Sequence, residues 1–398
     1  MMHFPQKALA HVLGKPTRVA SDRTPAVTRQ HVRRRHAWNF RFTALATVAL
    51  LGTVALVGCS SDNGSDTRGS GAGQSGGGEV VLVAYDSFAL PKETLEAFTA
   101  ETGLGVRVLN NGDTGELLNK AILTKDRPLG DVLWAVDSTL LDRAIRADIF
   151  SPHRSANLDD LDPSLTALVE GHPLTPVDFG DVCVNFDKAA LKKQGIAVPT
   201  SFEDLAKPAY KDKLVVENPA TSSPGLAFLL GTVAHFGPTG WEPYWEQLRL
   251  NGVKVVSGWT EAYEGSFTAG GGSGDRPLVV SYASSPPAGV MFSDNPNAAE
   301  APTGVLEGTC YRVSEFAGVL KGGANPTGGA KLIDFLTSKS VQEQLPLNMF
   351  VFPANTRAVL PKLFVDFAAR PATPLTLTPS AIATGREDWI DAWTNVMQ

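Results

Sequence analysis

The strongest constraint in this sequence is the order of its apolar runs. Short buried-strand patterns alternate with helical ones from residue 80 onward. Residues 80–85, 106–109 and 131–136 read as strands, and 91–101, 115–124 and 138–147 as helices. Pro91 at the start and Gly103 past the end frame the first helix, and Ser138 is the expected N-cap of the third. Strand–helix alternation of this kind specifies an α/β fold with a mostly parallel sheet. The pattern continues with strands at 182–186, 214–217, 253–256, 278–282 and 311–320. Between them fall helices at 188–194, 223–233, 241–250, 260–267 and 328–338. Ser223 is expected to cap the helix that Pro224 opens. The Gly270–Gly274 patch follows a helix and precedes a strand, the reverse of a phosphate loop, so it reads as a flexible surface turn.

The first 58 residues stand apart. Residues 1–41 hold nine Lys or Arg and one acid, and residues 42–58 hold no charge. The basic cluster Arg33-Arg34-Arg35, an apolar stretch from 42 to 57, then Leu56-Val57-Gly58-Cys59 has the layout of a signal peptide ending in a lipobox. Cleavage there leaves Cys59 for lipidation. Residues 59–79 are a Ser/Gly tether, whose average span is on the order of 25 Å. A body of about 320 residues, too long for one core, is thus expected outside the membrane, anchored to the cell membrane by lipid. Residues 59–398, tether and body together, have fourteen more acids than bases, which argues against nucleic acid as a partner.

Searches for catalysis come back thin. The body has no Gly-x-Ser-x-Gly at a strand–helix elbow, no P-loop and no dinucleotide fingerprint. The body's histidines, His153, His172 and His235, are far apart, so neither a metal site nor a cofactor is expected. Cys183 and Cys310 can pair outside the membrane or remain buried thiols. What does stand out is a set of polar and aromatic residues at strand C-terminal ends. They are Tyr85-Asp86-Ser87-Phe88, Asp137-Ser138, Thr221-Ser222-Ser223-Pro224-Gly225, Gly258-Trp259-Thr260-Glu261 and Ser281-Tyr282-Ala283-Ser284-Ser285-Pro286. In open α/β sheets ligands sit at that edge. Aromatic faces with carboxylates suit a flat cationic ring. Tyr85 and Tyr282 read either as ligand-facing rings or as core, and Asp137 as ligand group or helix cap. Asp86, Asp137 and Glu261 are the candidates for balancing a positive charge, Asp86 first.

Three segments resemble the solute-binding receptors of bacterial ABC importers: Leu95-Glu96-Ala97-Phe98-Thr99-Ala100-Glu101-Thr102-Gly103, Val198-Pro199-Thr200-Ser201-Phe202-Glu203-Asp204-Leu205, and Ala330-Lys331-Leu332-Ile333-Asp334-Phe335-Leu336. Four of the strand-end segments, those beginning at Tyr85, Thr221, Gly258 and Ser281, resemble the thiamine-binding receptors within that group. The resemblance implies a two-lobed periplasmic-binding-protein-like (type II) fold with a two-strand hinge. It implies lobe I at 80–180 plus 314–398, lobe II at 181–313, and crossing strands at 182–186 and 311–319, which sets Cys183 and Cys310 on adjacent segments. It implies that Tyr85, Trp259 and Tyr282 line the ring pocket, and that Ser223 and Gly225 lie where a phosphate tail docks. Two walls depart from the family's pattern. Ala89-Leu90-Pro91 replaces a loop that commonly carries tryptophan, and Phe350 stands at a second tryptophan position. The expected role is a monomeric, non-enzymatic receptor that passes thiamine or its phosphates to an ABC permease. Ferric iron, a polyamine or another heterocyclic cation are the alternative guests, and a thiamine-degrading enzyme with a cysteine nucleophile is the alternative activity.

Overall fold

The computed structural model describes residues 78–293, 295 and 297–398. The signal peptide, Cys59 and nearly all of the tether fall outside them. Ten strands form one continuous sheet: β1 (Glu79–Ala84), β2 (Gly105–Asn110), β3 (Val132–Asp137), β4 (Phe150–Ser151), β5 (Thr175–Asp187), β6 (Leu214–Glu217), β7 (Lys254–Val256), β8 (Leu278–Tyr282), β9 (Thr303–Leu320) and β10 (Phe352–Pro353). Their order is β2-β1-β3-β9-β5-β8-β6-β7, with β10 on β5 and β4 on β9. The fold is the two-lobed, periplasmic-binding-protein-like arrangement. β2-β1-β3 is a parallel set on one side, and β8-β6-β7 is a parallel set on the other. The long antiparallel strands β5 and β9 pass between them and pair with both.

Each parallel set is apolar on both faces because helices cover both. All six residues of β3 are buried, Trp134 among them. The Ser223–Phe236 helix is buried through its first eleven residues and packs beneath β9 and β8. Cys183 of β5 and Cys310 of β9 form a disulfide that spans 127 residues of sequence.

Several local expectations need correction. The third helix starts at Leu141, and Ser138 does not cap it. The helix has no side-chain cap; Asp137 braces the turn before it, accepting from the Thr139 and Leu140 N–H groups, while the Ser138 hydroxyl accepts from Ser314 N–H. The Ser223–Phe236 helix is capped by Ser222, one residue earlier than expected. Residues 261–266 form a π-helix where an ordinary helix is expected. The glycine patch is an exposed bend at 271–273, as expected of a surface turn, but its start is packed: Gly270 is buried, and a Cβ there would lie 1.6 Å from the Tyr263 carbonyl oxygen. A C-terminal helix (Pro379–Met397) has no counterpart in the sequence reading. Its Trp393 meets Trp245 edge-on at 5.6 Å.

Candidate functional site

The strand ends of the two parallel sets face each other across the β5–β9 crossing. The crevice between them encloses about 670 Å3, part of it open to solvent. Tyr85 and Ser87 enter from the end of β1, Trp259 from the loop after β7, and Tyr282 and Ser285 from the end of β8. Pro224 adds the first turn of the Ser223–Phe236 helix, and Phe350 the segment before β10. Five of the ten expected ligand residues therefore share one crevice: Tyr85, Ser87, Trp259, Tyr282 and Phe350.

The rings are held in place from behind. The Trp259 indole N–H donates to the Ser281 hydroxyl at 2.9 Å, and its ring stacks on Tyr263 with centroids 4.9 Å apart. The Tyr85 hydroxyl donates to Glu315 at 3.1 Å. Phe350 has φ 55°, a left-handed conformation that is strained for an aromatic residue. Its N–H bonds the Leu345 carbonyl, and its own carbonyl accepts from Ser284 at 2.5 Å. Both ends of its backbone are thus fixed around the strain.

The other five expected residues do not line the crevice. Asp137 is fully buried and spent on bracing the turn through Thr139 and Leu140, with a further bond from the Ser223 hydroxyl. Ser223 and Gly225 are buried in the wall. The Ser223 N–H donates to Asp113, and Gly225 sits so close to β6 that a Cβ would lie 2.6 Å from the Glu217 carbonyl oxygen. Glu261 accepts from the Ser257 N–H and hydroxyl. Asp86 is exposed outside the lining.

The carboxylates that do face the crevice are ones that the strand-end search passes over. Glu315 lies mid-strand in β9, opposite Asp178 of β5, and is 6% exposed. It accepts from Tyr85 and from the Trp134 indole at 3.3 Å. Burial, then the charge of Asp137, pushes its carboxyl up to about 7. Asp178 behind it is buried with no hydrogen bond to either oxygen, and burial followed by the Glu315 charge raises it well above the usual range. A buried acid pair without a cation among its neighbours favours a positively charged guest.

Asp113 is the second carboxylate that lines the crevice. It caps the Thr114–Leu123 helix and also reaches across the crevice. It accepts from the Trp259 N–H at 2.9 Å, the Ser222 hydroxyl at 3.1 Å and the Ser223 N–H at 3.2 Å. Burial pushes it up to about 6 despite the Trp259, Ser223 and Thr114 N–H donors. One carboxylate from the β1 side thus occupies the N-terminus of the helix where the family resemblance expects a phosphate. The Glu116 N–H adds a second crossing bond, to the Thr221 carbonyl. Gly258 is required beneath this contact, since a Cβ there would stand 2.9 Å from the Asp113 carboxylate.

Comparison with known proteins places this geometry. Residues 127–287 match the family described as bacterial extracellular solute-binding protein. The thiamine-binding periplasmic protein of Salmonella typhimurium is 29% identical over 318 residues, 79% of this chain and 92% of that one. Its namesake in Escherichia coli K12 is 28% identical over the same shares. Among solved structures, a periplasmic thiamin binding protein superposes with a TM-score of 0.70 at 25% identity, covering 84% of this chain and all of the other. More distantly, the Fe(3+)-binding periplasmic protein of Serratia marcescens is 26% identical over 264 residues, 66% of this chain and 68% of that protein.

Proposed function

We infer that this chain is the extracytoplasmic substrate-binding component of an ABC importer, and that its guest is thiamine or a thiamine phosphate. The observation that carries the reading is the convergence of Tyr85, Trp259 and Tyr282 on one crevice beside a buried acid, Glu315. Rings from opposite lobes take the faces of a flat guest, and Glu315 balances its positive charge from one edge. The likeness to thiamine-binding periplasmic proteins over nearly their whole length supports the same guest. We divide the body into lobe I (80–180 and 314–398) and lobe II (181–313), with closure bringing both sets of contacts to bear at once. The signal and lipobox support export and lipid anchoring through Cys59. The mature receptor acts as a monomer that delivers its guest to the permease.

Catalysis by a cysteine nucleophile is disfavoured by the disulfide, which leaves neither Cys183 nor Cys310 as a thiolate. Ferric iron is the competing guest, supported by the more distant iron-binding relatives. Among the described residues no group of three or more His, Cys, Asp or Glu is placed to hold a metal ion. Calorimetric titration separates the guests. Saturable binding of thiamine, weakened by about 1–3 kcal/mol in Trp259→Ala, supports the reading. Binding of ferric citrate or spermidine with silence toward thiamine overturns it.

A further inference from the structure

A second groove lies on the other side of β9 from the crevice. Alternation along the strand turns Arg312 and Ser314 away from the face that Glu315 uses, and both line this groove. Its other walls are the Leu141–Arg146 helix and the chain from Thr376 into the Pro379–Met397 helix. The latter wall is pinned to β9, because Leu375 bonds the backbone on either side of Tyr311 and the Leu377 N–H donates to the Tyr311 hydroxyl. The space is about 1330 Å3, partly open to solvent.

Four guanidinium groups line it: Arg143, Arg146, Arg312 and Arg386. Arg146 is paired with Asp142, and Arg312 with Asp181. Among the described residues Arg386, 8% exposed, forms an ion pair only with its neighbour Glu387, whose side chain is 73% exposed, and it also feels the charge of buried Asp137. The Nε of Arg386 is buried with no hydrogen-bond partner. Arg143 forms no ion pair among the described residues, and its charge disfavours that of Arg386. Two cations held together beside Leu168, Leu377 and Ile382 are costly unless something anionic joins them. In a body with a large excess of acids, such a cluster is not a by-product of composition.

We propose that this groove is a second ligand site, one that takes a small dianion, phosphate or a short dicarboxylate, between Arg386 and Arg143. Two guanidinium forks match two sets of carboxylate or phosphate oxygens. A cationic guest would be repelled here, so the groove and the crevice select opposite charges.

The test uses the purified protein in detergent at constant ionic strength, with inorganic phosphate followed by 31P line broadening and succinate by the rise in melting temperature. Saturable binding of either anion, weakened about tenfold or more in Arg143→Gln, is expected. Arg143 is half-buried on a short helix, so this variant keeps the test alive if Arg386→Gln fails to fold. Response to phosphate alone or to succinate alone identifies which dianion the spacing fits. No saturable response to either, or an Arg143→Gln titration that overlays the wild type, overturns the proposal.

Discussion

Glu315 is an acid in the middle of a buried strand, and its environment decides how the crevice responds to pH. Its carboxyl is raised to about 7 by burial, from an ordinary value of 4.5 in the unfolded chain. The folded, empty protein therefore binds this proton more tightly than the unfolded chain does, and stability falls as pH rises from about 4.5 to 7. A cationic guest acts in the opposite sense, since it prefers the ionised form. Thiamine affinity is expected to fall below pH 7, by at most about tenfold per pH unit. Calorimetry between pH 5.5 and 8 measures this, with proton release on binding at the acid end. Glu315→Gln should flatten the profile and weaken binding, and an unchanged profile in that variant would move the titration to another group. Trp259→Ala is the companion variant, reporting ring stacking where Glu315→Gln reports charge.

At the scale of elements, the loop that carries Gly258 and Trp259 joins fold and function. A Cβ at position 258 would stand 2.9 Å from the Asp113 carboxylate, at the point where the two sides meet. Gly258→Ala is thus expected to disturb this contact in the empty protein too, lowering its melting temperature by a few degrees, and to weaken thiamine binding by roughly tenfold or more. Binding at wild-type strength would show that closure does not need this contact. Most elements are legible from periodicity because their burial is simple: β8 matches its expected span at both ends, and β6 likewise. The hinge strands run longer than the apolar pattern suggests, since β5 and β9 carry Asp178, Asp181, Arg312 and Glu315 among their apolar residues. Those charges broke the pattern, and one of them, Glu315, is an acid that lines the crevice. Asp113 was hidden for another reason: it sits after β2 in a run of Asn110-Asn111-Gly112 that reads as a plain turn. The aromatic walls were visible because large rings beside Gly and Pro at strand ends have few purely structural uses.

For the whole molecule, the question is what holds the two sides together. Asp113 contributes three bonds across the crevice. Asp113→Asn keeps the shape but removes the charge at the Ser223–Phe236 helix N-terminus, at a cost of about 1–2 kcal/mol to the closed form. Small-angle scattering of the empty variant should show a larger radius of gyration than the wild type, with thiamine restoring the compact value. Equal radii would place the lobe contact elsewhere. Reduction of the Cys183–Cys310 disulfide is expected to lower stability by about 2–5 kcal/mol, given the long loop it closes. A denaturant midpoint that does not move under reductant would show the bond to be dispensable.

That bond staples the two strands about which the molecule flexes, and thiols of the cytosol stay reduced. A newly made copy accordingly leaves the ribosome with a loose axle. On the proposed reading its grip is expected to tighten once the bond forms in an oxidising space, so a copy not yet exported should hold thiamine more weakly than an exported one.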